Sequence, residues 1–151
     1  MSEIEFELEH PTETVELTIK ARPENLSLAR LALGGVAGRI GAPEDVVADL
    51  KVAVTEACTN AIQHAYGDSI ASEQLIVVRF NASARALTVE VEDSGAGFDP
   101  AQPPRENGNG SNGHGRGLGL LIIRELSDQC TVESTRSGTR ISFRRWLPAP
   151  E

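Results

Sequence analysis

Residues 54–66 read Val54-Thr55-Glu56-Ala57-Cys58-Thr59-Asn60-Ala61-Ile62-Gln63-His64-Ala65-Tyr66. Traced back to Pro43, the positions Val46, Leu50, Ala53, Val54, Ala57 and Ala61 recur at helical spacing. Pro43 suits the first helical position, and Glu44 and Asp45 fill the first turn, where the positive end of the helix dipole favours carboxylates. The pattern predicts a long helix running to about Tyr66 with one buried face. Glu56 and Asn60 are four apart and project from one strip of its surface, which also holds Gln63 and His64.

Outward from this helix the chain alternates strand and helix signals irregularly. Glu3 to His10 alternates charged and apolar residues, with Ile4, Phe6 and Leu8 on one side, and Val15, Leu17 and Ile19 resume a period of two, which predicts one strand or two. Pro23-Glu24-Asn25 opens a helix on Leu26, Ala29, Arg30, Leu33 and Val36 that ends near Gly41. After Gly67-Asp68-Ser69, the segments Leu75 to Phe80 and Leu87 to Val91 read as paired strands joined by a turn over Asn81 to Arg85. Leu118 to Gln129 reads as a short helix, and Thr131 to Thr135 with Thr139 to Trp146 as a closing hairpin turned at Ser137-Gly138. This order lacks the regular alternation of a doubly wound sheet. It predicts an α+β, two-layer sandwich whose helices cover one face of a largely antiparallel mixed sheet, in a single domain over residues 1–151.

Composition supports that reading. The chain has 151 residues, 40% of them hydrophobic and 24% charged, and a chain of this size buries roughly 70% of its unfolded surface. The net charge of −8 opposes direct binding to nucleic acid or an anionic membrane. No apolar run is long enough to span a bilayer, and the first ten residues carry Glu3, Glu5, Glu7 and Glu9 instead of a basic leader, so a cytoplasmic location is expected. Cys58 and Cys130 show neither metal-ligand nor disulfide spacing and read as buried reduced thiols.

Three signals carry chemistry. A carboxylate and an amide oxygen at the spacing of Glu56 and Asn60 can share a task, the amide oxygen taking a hard cation and the carboxylate a proton. The plainer reading is a solvated helix face. Asp93-Ser94-Gly95-Ala96-Gly97 follows a strand directly; its carboxylate can accept a hydrogen bond from an exocyclic amine such as that of adenine, while the glycines let a flat ring approach the main chain. Alone it reads as a turn. Gly113, Gly115, Gly117 and Gly119 precede a helix, where free N–H groups, the helix dipole and Arg116 can converge on phosphate. Between the last two signals, residues 99–115 form a Pro/Gly/Asn/Ser-rich loop long enough to read as a lid.

Taken together and in order, Glu56-Ala57-Cys58-Thr59-Asn60, Asp93-x-Gly95-x-Gly97 and Gly115-x-Gly117-Leu118-Gly119-Leu120 resemble the three boxes of the GHKL ATPase superfamily, over about residues 13 to 146. The wording of residues 54–66 is similar to the bacterial anti-sigma factor serine/threonine-protein kinases. The resemblance implies ATP and Mg²⁺ as ligands, Glu56 as catalytic base, Asn60 as the Mg²⁺ ligand, and Asp93, Gly95 and Gly97 around the base. Gly115, Arg116, Gly117, Leu118 and Gly119 would lie at the phosphates beneath the lid, with His64 a further candidate on the strip of Asn60. As partners it implies a sigma factor and an anti-anti-sigma protein of STAS type. A homodimer would use the sheet face or a first strand extended by Ile4, Phe6 and Leu8. A non-catalytic regulatory module that uses nucleotide to grip a partner would carry the same boxes. The catalytic half of a sensor histidine kinase is disfavoured, since His10, His64 and His114 have no phospho-acceptor setting.

Overall fold

The computed structural model describes residues 2–65, 74–94, 113–135 and 137–149. Within them a five-stranded sheet is formed by β1 (Glu13–Lys20), β2 (Leu75–Ala82), β3 (Ala86–Asp93), β4 (Gln129–Thr135) and β5 (Gly138–Trp146). The strand order is β1-β2-β3-β5-β4, and every pairing is antiparallel. The helices are α1 (Glu3–Glu9), α2 (Leu26–Ile40, entered through a 3₁₀ turn over Pro23–Asn25), α3 (Glu44–Asn60) and α4 (Gly113–Leu126).

The period of two in the strands sends one set of side chains to the core. Ile76, Val78 and Phe80 of β2, Leu87, Val89 and Val91 of β3, and Ile141 and Phe143 of β5 are buried against Leu33 and Val36 of α2, Leu50, Ala53, Val54 and Ala57 of α3, and Ile123 of α4. Each large apolar side chain removed from water contributes about 1.5–3 kcal/mol, so this layer supplies most of the driving force. The alternate set faces solvent as a ladder of opposite charges. Arg79 donates to Glu16 at 2.9 Å and to Glu92 at 3.2 Å, and Arg140 lies 3.4–3.6 Å from Glu90, Glu92 and Glu133. These exposed pairs are each worth at most about 1 kcal/mol, and their main effect is to keep that face polar and the strands in register.

In the helix layer α3 packs against both α2 and α4. Arg145 ties the far end of this layer to the sheet: its Nη1 donates to Asp49 Oδ2 of α3 at 2.6 Å and to the Leu126 carbonyl, the last residue of α4, at 3.1 Å. Asp128 in turn accepts from the Trp146 N–H at 2.7 Å.

Four expectations are corrected. Glu3–Glu9 is a helix, not a strand. Glutamate is a good helix former, and Ser2 and Glu5 form a reciprocal capping box, each side chain bonding the other's main-chain N–H at 3.1 Å. Alternation of Glu with Ile4, Phe6 and Leu8 is therefore a pattern that both structures satisfy, and local capping decides. The helix expected from Leu118 starts at Gly113, so residues 113–115 of the predicted loop are helical, and it ends at Leu126, before β4. The long central helix changes after Asn60 to a π-helical turn over Ala61–Ala65; Tyr66 lies outside the described residues, as do residues 99–112 of the lid. The β2–β3 turn is shorter than expected, because the Ser83 hydroxyl accepts from the N–H groups of Arg85 and Ala86 and closes it within three residues. The turn at Gly41 is as expected, with φ +67°.

Cys58 is fully buried, and desolvation pushes its thiol from near 9 up to about 12, with Arg30 of α2 opposing the shift. The unfolded chain therefore ionises first as pH rises. Stability from this group is complete below pH 9 and is lost as pH climbs toward 12. Urea unfolding at stepped pH is expected to show a slope of up to about 1.4 kcal/mol per pH unit in that window which Cys58→Ala abolishes. The native protein is expected to leave Cys58 unreactive to a thiol reagent at pH 8 until it unfolds.

Candidate active site

Ala53 and Ala57 are fully buried on the core side of α3, and Glu56 and Asn60 lie on the adjoining strip. Asn60 on that strip is buried, with 7% of its surface exposed, and Glu56 is half-buried one turn before it. Facing them is Gly119 of α4. A Cβ on Gly119 would lie 3.0 Å from Asn60 Oδ1, 3.3 Å from Asn60 Nδ2 and 3.3 Å from Glu56 Oε2. The backbone of α4 thus rests on both polar groups, and only glycine leaves that contact unstrained.

Thr55, beside Glu56, is held from the other side: Arg30 Nη1 of α2 donates to its hydroxyl at 3.1 Å, and that hydroxyl donates to the Lys51 carbonyl at 2.8 Å. The π turn after Asn60 packs over β3 and β5, which brings this end of α3 to the end of β3 where Asp93 sits. Asp93 is 7% exposed, on the core face, and pairs with Thr139 of β5, itself buried at 6%. A cleft of about 290 Å³ opens at this end of the sheet, lined by Glu92, Asp93, Ser94, Glu133, Ser137, Gly138, Thr139 and Arg140, of which Glu92, Glu133 and Arg140 belong to the charged outer face.

Glu56, Asn60 and Gly119 are therefore brought into contact, and Asp93 stands at the same end of the fold. Leu118 is 47% exposed beside Gly119, and Gly117 is exposed. Gly95 and Gly97 lie outside the described residues, and only the main chain of His64, Gly115 and Arg116 is described, within the π turn and α4. The expectation that Gly117 and Gly119 offer free N–H groups just ahead of a helix is corrected. With α4 starting at Gly113, the N–H groups that have no intrahelical partner within α4 are those of residues 113–115, and Gly119 acts through the absence of its side chain. Gly138 and Thr139 were legible only as a turn and a strand start, since their place beside Asp93 depends on strand register.

A helix presenting a carboxylate and an amide, a glycine-bearing helix laid across them and an acidic strand end on one antiparallel sheet define a histidine kinase-like ATPase domain, and residues 19–145 match the family of that description. The serine-protein kinase RsbW of Bacillus velezensis is 40% identical over 139 residues, spanning 88% of this chain and 85% of that protein. RsbW of Bacillus subtilis is 35% identical over the same shares of the two chains. The crystal structure of the RsbU and RsbW domains of Rv1364c from Mycobacterium tuberculosis has the same fold, with a TM-score of 0.67 at 24% identity over 92% of this chain and 34% of that one. The chain belongs to the RsbW-type serine-protein kinases within the histidine kinase-like ATPases.

Gly119→Ala separates site geometry from helix stability. Alanine favours the helix by about 1 kcal/mol over glycine, while its methyl group presses on Asn60 and Glu56. The expected outcome is an unfolding midpoint equal to or above wild type together with ATP–Mg²⁺ binding at least about tenfold weaker, a ~1.4 kcal/mol loss, read by denaturation and by titration with a fluorescent nucleotide.

Proposed function

We propose that this chain, as a single cytoplasmic domain over residues 1–151, transfers the terminal phosphoryl group of ATP to a serine or threonine of an anti-anti-sigma protein of STAS type, and alternately sequesters a sigma factor. The observation that carries this reading is the close approach of Gly119 to both Asn60 and Glu56, which joins the acid–amide pair to the glycine segment.

Phosphoryl transfer requires mainly positioning and charge neutralisation. Glu56 would accept the proton of the incoming hydroxyl as its oxygen bonds to the terminal phosphorus and the bond from that phosphorus to the bridging oxygen breaks. Asn60 offers a hard amide oxygen in a buried position, which suits a magnesium ion that keeps water and phosphate ligands and takes few from protein. When bound, the ion would offset charge on the triphosphate. Asp93 would accept from the adenine amino group, with Gly95 and Gly97 shaping the base pocket. His64, Gly115, Arg116, Gly117 and Leu118 would line the phosphate end.

The charged outer face of the sheet supports a homodimer better than strand extension does, because Ile4 and Phe6 stand exposed on a helix and cannot continue β1. No described helix is long and apolar enough to cross a membrane.

Glu56→Gln preserves size and hydrogen-bonding capacity while removing the base. It is expected to keep ATP–Mg²⁺ affinity within about twofold and to slow transfer by about 10²–10⁴-fold, measured with radiolabelled ATP and an anti-anti-sigma substrate. Transfer at the wild-type rate would exclude Glu56 as the base.

A further inference from the structure

Among the described residues, Gly41 and Gly138 have positive φ, and the two differ. At Gly41, φ is +67° and an added Cβ would meet open space, so that glycine serves only the local turn that ends α2. At Gly138, φ is +146°, and an added Cβ would lie 2.0 Å from the Asp93 carbonyl oxygen, 2.9 Å from its carbonyl carbon and 3.1 Å from Ser94 Cα. Those atoms are main chain of another strand, so no side-chain rotation relieves the clash. The turn joining β4 to β5 does not itself demand this contact. It arises because β5 pairs with β3 in a register that sets Thr139 opposite Asp93.

We propose that Gly138 is a positioning residue for base recognition. By carrying no side chain it lets the Asp93–Ser94 main chain lie flat on the start of β5, close enough for a Cα–H contact to the Asp93 carbonyl. That fixes the main chain from which the Asp93 carboxylate projects toward the buried, helix-covered face of the sheet. The inference rests on the reading of Asp93 as the group that meets the adenine amino group. In Gly138→Ala the carbonyl must retreat by about 1.4 Å to reach ordinary contact, more than the ~1 Å misplacement that can cost about 100-fold where a reacting or recognised group must be held in register.

The test is the affinity of the full chain for ATP and for GTP, each with Mg²⁺, in wild type, Gly138→Ala, Asp93→Asn, the double variant and Gly41→Ala, with folding checked by circular dichroism. Gly138→Ala is expected to weaken ATP binding by at least about tenfold and to bring the ATP-to-GTP preference down to that of Asp93→Asn. The double variant should be no worse than Asp93→Asn alone, while Gly41→Ala lowers stability and keeps the wild-type preference. A folded Gly138→Ala with its base preference intact, or additive losses in the double variant, would overturn the inference while leaving the role of Asp93 standing. If Asp93→Asn binds ATP as wild type does, the reading of Asp93 fails and the inference with it. Should Gly138→Ala not fold, the wild-type protein decides by NMR. ADP is expected to shift the Gly138 Hα resonances and leave those of Gly41 in place, and an unmoved Gly138 refutes the proposal.

Discussion

Where α4 crosses α3, Gly119 comes so close that a methyl group on it would lie 3.0–3.3 Å from the side-chain atoms of Asn60 and Glu56. Much of the remaining structure can be understood as what this contact requires. Four glycines, at 113, 115, 117 and 119, open α4, and each costs about 1 kcal/mol relative to alanine in a helix interior. The helix has little intrinsic preference to form at that end. It is held by tertiary packing: Ile123 buried in the core, α3 alongside, and Arg145 bonded to its terminal carbonyl. The same Arg145 reaches Asp49 on α3, so the two helices are fixed to β5 at one end and meet at the site at the other.

The sheet supplies the second half of the site by register. Antiparallel pairing of β3 with β5 sets Asp93 opposite Thr139, and the pleat turns both side chains toward the helix layer, where they are almost fully buried. Asp93 and Thr139 form a buried polar pair at the end of an otherwise apolar face. Its placement beside a cleft, at the edge of a core that is otherwise aliphatic and aromatic, is what gives this end of the sheet its chemistry. On the opposite face the arginine–glutamate ladder runs across all five strands without burying any group deeply, so the fold keeps a polar surface free of competing apolar demands.

The sequence made the architecture legible wherever periodicity had one solution. The strands β2, β3 and β5 and the helices α2 and α3 were readable because their apolar positions fit only one period. Glu3–Glu9 was not, because alternating Glu and apolar residues satisfy a strand while Ser2 and Glu5 cap a helix, and the short-range capping bonds prevailed. Glu56, Asn60 and Asp93 were legible as candidates from residue type, spacing and order. The manner in which Gly119 acts was not, since a glycine's value here is the room it leaves for groups sixty residues earlier in the chain. Gly138 and Thr139 escaped notice for the same reason: strand register, which local sequence does not encode, carries them to Asp93.

The central claim is that these separated segments form one ATP site. Isothermal titration of ATP with Mg²⁺ into the purified chain tests it most directly. The account predicts saturable one-to-one binding with micromolar affinity, lost when ATP is replaced by GTP with Mg²⁺ kept under the same conditions. Absence of binding heat, or equal affinity for ATP and GTP, would contradict it.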